Sequence, residues 1–130
     1  MIQRLNPSTL FHSPAFTQVI SMPNPKTWVY VGGQNGVTIQ GELVGDSLAA
    51  QSEQGYRNLI SALEAAGATL SDVVKLTIYL VEGHVLEEAF EAAMRIVPPN
   101  TPPPTITFVY VSGLSNPGCL IEFEAVAALF

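Results

Sequence analysis

The segment Ile121-Glu122-Phe123-Glu124-Ala125-Val126-Ala127 places two carboxylates two residues apart in an otherwise apolar run near the end of the chain. A β-strand repeats every two residues, so Ile121, Phe123, Ala125 and Ala127 share one face and Glu122, Glu124 and Val126 the other. The first face is core. The second carries acid, which calls for solvent, a wet cleft or a subunit interface. The plain alternative is an exposed strand face with two solvated glutamates, since Glu is mostly found outside.

The 130 residues are 48% hydrophobic and only 12% charged, material for a single domain spanning 1–130 with its own core. So little charge leaves a monomer short of polar covering, and oligomerisation is expected to bury the apolar excess. The five cations, Arg4, Lys26, Arg57, Lys75 and Arg95, are scattered, and the net charge is −6. Phosphate recognition needs clustered Lys and Arg, so no nucleic acid partner is expected. Cys119 is the only cysteine; an intrachain disulfide is impossible and a reducing compartment is the default. Beside Gly118 it reads as a packed small residue. No charged-then-apolar leader opens the chain, and no apolar run approaches the roughly 20 residues of a membrane helix, so a cytoplasmic protein without a membrane partner is expected. His12 and His84 lack spaced Cys, His or acidic partners, which leaves no metal site to propose. Gly32-Gly33 is not followed by Lys-Ser or Lys-Thr, so it is no phosphate loop. Glu87 and Glu91, four apart, read as a solvated helix face.

Residues 1–14 mix Pro, Ser and Asn and read as an irregular lead-in. Strands are expected at Phe16–Ser21 and Trp28–Val31, joined as a hairpin through Pro23-Asn24-Pro25. Leu48, Tyr56, Leu59, Ile60 and Leu63 fall on one helical stripe, with Asp46 or Ser47 as N-cap and Gly67 as the stop. Val73–Val81 reads as a strand, and Leu86–Val97 as a second amphipathic helix ended by a cluster of prolines. Strands at Thr105–Val111 and Leu120–Leu129 close the chain around the turn Ser115-Asn116-Pro117-Gly118. The expected fold is α+β, ββαβαββ, with both helices on one face of a mixed sheet and the other face awaiting a partner.

Three blocks carry a family resemblance that covers nearly the whole chain: Val31-Gly32-Gly33-Gln34; Leu63-Glu64-Ala65-Ala66-Gly67-Ala68 with Leu70-Ser71-Asp72-Val73-Val74-Lys75; and the closing IEFEAVA. The sequence resembles the reactive intermediate deaminase (Rid) family, historically also labelled endoribonuclease or translation-inhibitor proteins. The resemblance implies a chorismate-mutase-like domain and a homotrimer with a barrel-like core and clefts between subunits. It implies cofactor-independent hydrolysis of short-lived imines and enamines to a 2-oxo acid and ammonia. The historical ribonuclease label would demand salt-sensitive RNA binding, for which this acidic chain is poorly built.

By the same resemblance, the first glutamate of the terminal motif, Glu122, positions or activates water, and Gly33 offers backbone contacts. An arginine in a Pro-small-Arg pattern clamps the substrate carboxylate. Aligned through Val109, Val111 and Leu114, that position falls on Ile106. Ile cannot replace a bidentate charged fork. Phe16 stands where Tyr is common, and Phe108 where a small or polar residue is. Strand parity puts Ile106, Phe108 and Tyr110 on one wall, expected to lie near Glu122. The small-molecule ligand of such a cleft would be a neutral imine or related C–N compound, with Glu122 as general acid or base. The competing expectation is a binding or assembly protein whose cleft Ile106 and Phe108 close.

Overall fold

The alternation of the terminal segment is realised in a computed structural model that describes all 130 residues. There Ile121–Leu129 forms a strand whose Ile121, Phe123, Ala125 and Ala127 are buried while Glu122, Glu124 and Val126 are not. In chain order the elements are β1 (Gln3–Leu5), β2 (Val19–Ser21), β3 (Thr27–Asn35), α1 (Leu48–Ala65), a single 3-10 turn (Leu70–Asp72), β4 (Val73–Val81), α2 (Leu86–Met94), β5 (Thr105–Val111) and β6 (Ile121–Leu129). The main sheet runs β3-β6-β4-β5. Strand β6 is antiparallel to both neighbours, whereas β4 and β5 are parallel and joined by the crossover through α2. The fold is the expected α+β arrangement, with both helices on the face that buries Phe123. No helix is long and apolar enough to cross a membrane.

Two expectations need correction. Strand β2 does not form a hairpin with β3; it pairs with β1 in a small separate ladder, Gln3 opposite Ser21. The two prolines flanking Asn24 each remove an N–H donor from the turn, and Asn24 itself adopts a positive φ of 40°. Lys26 N–H then bonds Leu129 C=O at 2.8 Å, which delivers β3 to β6 instead. The lead-in is thus not wholly irregular, since Gln3–Leu5 is a strand. Helix α2 also stops at Met94 rather than Val97. Its last turn tightens into i→i+3 bonds from Ile96 and Val97, because Pro98 disfavours helical geometry at the residue before it.

Helix α1 has both ends closed by its own sequence. The Ser47 hydroxyl accepts the Ala50 N–H at 3.1 Å. At the other end Gly67 takes φ 76°, while Gly67 N–H bonds Glu64 C=O and Ala68 N–H bonds Leu63 C=O. This is a Schellman stop, and it needs a residue without Cβ. The stripe Leu48, Tyr56, Leu59 and Leu63 is buried, with Ile60 at its margin. Together with Leu80, Ile121 and Phe123 it forms the centre of the core, where each large side chain contributes about 1.5–3 kcal/mol.

One polar residue sits inside this apolar layer. Gln51 is fully buried; its Nε2 donates to Gly45 C=O at 2.8 Å and Gly118 C=O at 3.1 Å, and its Oε1 accepts Leu120 N–H at 2.8 Å. It ties the loop before α1 to the turn before β6. Gln51→Ala would orphan one buried donor and two acceptors, so a stability loss of about 2–4 kcal/mol is expected in urea unfolding. A loss below about 0.5 kcal/mol would show that the tie is not needed.

Candidate functional site

The face of the sheet away from the helices is built by the same two-residue repeat on four strands. Cross-strand register places Asn35, Glu122, Tyr79 and Val109 in one row, Glu124, Thr77 and Thr107 in the next, and Tyr30, Val126, Lys75 and Thr105 beyond. A shallow depression of about 320 Å³ lies here among Tyr30, Lys75, Thr77 and Glu124.

Glu122 occupies its place because β3 makes room for it. Between Val31 and Gln34 the β3–β6 register shifts, so that Gly32 and Gly33 together oppose a single residue of β6. This is a β-bulge. A Cβ on Gly33 would stand 2.6 Å from the Glu122 carboxyl carbon, so only glycine leaves the side chain its position. Asn35 Nδ2 then reaches Glu122 Oε1 at 3.4 Å. The Asn35 backbone is in turn held by Asn58 of α1, whose Nδ2 donates to the carbonyls of Asn35 at 3.0 Å and Val37 at 2.9 Å. The helix thus fixes the strand end that orients the acid.

Tyr79 stands beside Glu122 and donates its hydroxyl to Glu124 Oε1 at 2.7 Å. That hydrogen bond, followed by burial and the negative charges of Glu124 and Glu122, pushes the Tyr79 phenol above its ordinary value. Lys75 is the cation on this face, and its ammonium donates to the Thr107 hydroxyl. Cys119 is buried, and burial followed by the charge of Glu122 raises its thiol. It is a packing residue and no activated nucleophile. No three His, Cys, Asp or Glu side chains converge.

The register corrects one expectation directly. Ile106, Phe108 and Tyr110 do share a face, but they pair with Leu76, Ile78 and Leu80, whose side chains are buried toward the helices. Ile106 and Phe108 pack against the core, and Tyr110 is 51% exposed beyond them. Within one chain none of the three walls Glu122. A residue of β5 that shares Glu122's face must be Thr105, Thr107, Val109 or Val111. None of these is arginine, and neither is Ile106, Phe108 or Tyr110, so β5 carries no guanidinium on either side.

Phe16 is half-buried and lies outside β2. Its neighbour Thr17 donates N–H to Pro104 C=O at 2.9 Å and its hydroxyl to Pro103 C=O at 2.6 Å, which docks the segment on the start of β5. Phe16 and Thr105 therefore belong to one end of the sheet, and Gly33, Asn35 and Glu122 to the other. Four residues of β4 separate the rows, roughly 13 Å at a strand's rise. Asn35, Asn58 and Tyr79 escape a reading of the sequence by motif. Alternation along β4 would have placed Tyr79 on the polar face, but its pairing with Glu122 depends on register.

An acid is thus held over a glycine bulge on the open face of an α+β sheet. The family model described as Endoribonuclease L-PSP matches residues 10–129. The chain belongs to this family, the Rid/YjgF group. It is 33% identical over 100 residues to protein HMF1 of Saccharomyces cerevisiae, covering 77% of this chain and 75% of that one. It is 30% identical over 100 residues to the Homo sapiens 2-iminobutanoate/2-iminopropanoate deaminase, covering 76% and 71%. Among solved structures, YyfB, a Yersinia pestis protein of unknown function in the conserved Rid family, superposes with a TM-score of 0.86 at 31% identity over 98% of both chains.

Gly33→Ala tests the bulge. Alanine suits an extended strand and its backbone entropy favours folding, so stability should stay within about 1 kcal/mol of the parent. The Glu122 carboxylate should swing away from Asn35 in the variant's crystal structure. An unmoved carboxylate would refute the close approach as its positioning device.

Proposed function

We propose that this protein binds or hydrolyses a small imine, enamine or related C–N compound in a cleft between subunits, with Glu122 as the acid–base residue. The observation that carries the reading is the Glu122 carboxylate, seated over Gly33 and held by Asn35 on an uncovered sheet face. Water adds to the carbon of the protonated imine as the carboxylate takes its proton; the carboxylic acid returns that proton to the carbinolamine nitrogen, and as ammonia leaves the carboxylate takes the hydroxyl proton, so that a carbonyl forms. Membership of a family with deaminase relatives supports the same chemistry.

The intersubunit placement follows from what one chain lacks. Trp28 and Tyr30 on this face are 48% and 77% exposed, an apolar surface that a second copy would cover. The two ends of the face lie too far apart to grip one small molecule, whereas a neighbour can bring its Phe16–Thr105 end to Glu122. We take the assembly to be a homotrimer. The missing arginine favours one further reading, a non-catalytic small-ligand-binding or assembly protein.

Ammonia release from freshly generated 2-iminopropanoate and 2-iminobutanoate separates the two. An unpaired substrate carboxylate weakens binding by about 10²–10³-fold, so turnover should fall that far below an arginine-bearing relative. A neutral imine without the carboxylate should be the better substrate, and Glu122→Gln should abolish its hydrolysis. Rates on imino acids equal to the relative's would mean another group replaces the arginine. No turnover on either class would leave the binding role, and unchanged Glu122→Gln turnover would remove Glu122 from the chemistry.

A further inference from the structure

Strand β6 faces two ways, and the side opposite Glu122 also borders empty space. Ile121 and Phe123 form part of the wall of a cavity of about 130 Å³ between the sheet, α2 and the proline-rich segment before β5. Ala89 and Ala93 of α2 open it, because two small residues four apart leave a notch where larger side chains would close the layer. Ile106, displaced from the Glu122 face, lines it too.

The chemistry of this wall is selective. No Lys, Arg, His, Asp or Glu lines the cavity. Thr101 at its edge is already satisfied, its hydroxyl donating to Pro98 C=O at 2.7 Å. Tyr56 is different. Its ring packs edge-on against Phe123 at 5.2 Å between centroids, and the residue is only 6% exposed. Ser52, four residues earlier on the helix, spends its hydroxyl on Ala89 C=O at 2.7 Å, but Tyr56, which lines the cavity, makes no hydrogen bond within the chain through its hydroxyl. A tyrosine hydroxyl set among apolar residues ordinarily finds a partner. Burial also raises Tyr56 to about 12, so at neutral pH the group is a neutral phenol able to donate or accept.

We propose that this cavity is a binding site for a neutral single-ring molecule carrying one oxygen, the ring filling the apolar space and the oxygen hydrogen-bonded to the Tyr56 hydroxyl. The volume suits it, since a cavity of roughly 150 Å³ lined by aliphatic and aromatic carbon holds one benzene. Charged molecules are excluded, because nothing in the wall would repay the desolvation of a carboxylate or ammonium. The site is separate from the Glu122 face, with the thickness of the sheet between them.

The test is titration of the intact protein with phenol, benzene and benzoate, followed by methyl NMR at Ile106, Leu86 and Ile121. Phenol should saturate, benzene should bind about fivefold more weakly for want of the hydrogen bond, and benzoate should not bind. Ala93→Leu should abolish phenol binding in a chain that still melts cooperatively. Should that variant fail to fold, Tyr56→Phe decides: it should bind phenol and benzene alike. A parent chain that ignores phenol up to its solubility limit, or binds benzene as well as phenol, overturns the proposal. So does a Tyr56→Phe chain that keeps the preference.

Discussion

Everything in this fold depends on β6 lying between β3 and β4 with its two faces committed to different media. Phe123 and Ile121 are sealed under the helices, and burying them is favourable only if the intervening Glu122 and Glu124 point the other way. A slip of one residue would exchange the sets, placing two carboxylates in the core at a cost of several kcal/mol each. The register is therefore pinned by opposed penalties, and with it the position of Glu122 relative to the bulge at Gly32-Gly33. Core and candidate site are specified by one alternation.

The division of labour across the sheet follows. On the helix side, α1 supplies the apolar stripe, the buried Gln51 tie and Asn58, whose amide fixes the backbone of Asn35. On the open side, a polar row of Asn35, Glu122 and Tyr79 lies at one end and exposed aromatic carbon at Trp28 and Tyr30 toward the other. In the proposed trimer that carbon drives association, and association brings the far end of a neighbouring β5 to Glu122. In the same proposal a β5 without arginine offers no charge recognition, while the acid and the bulge stay in place. That is the composition expected of a cleft retuned toward neutral ligands.

The elements legible in the sequence were those written in local chemistry. The IEFEAVA parity, the Ser47 and Gly67 ends of α1, and the bounds of β4 and β5 all follow from residue type at fixed spacing. What failed was non-local. The pairing of β2 with β1 depends on a ladder between residues 14 to 18 apart, which propensity does not encode. Parity alone put Ile106, Phe108 and Tyr110 on a common face, but which face could be known only once Leu76, Ile78 and Leu80 were seen beside them. Asn35 was missed because its role arises from the bulge two residues before it. Glu122 stood out as a candidate because a half-buried strand offers few reasons to carry acid.

The central claim is that the open sheet face is an interface and that the site is completed across it. Static light scattering on the purified chain tests this most directly. The account predicts a molar mass of about three times the 13.9 kDa of one chain. A mass of one chain, held across micromolar concentrations, would contradict it and leave Glu122 on a solvated face.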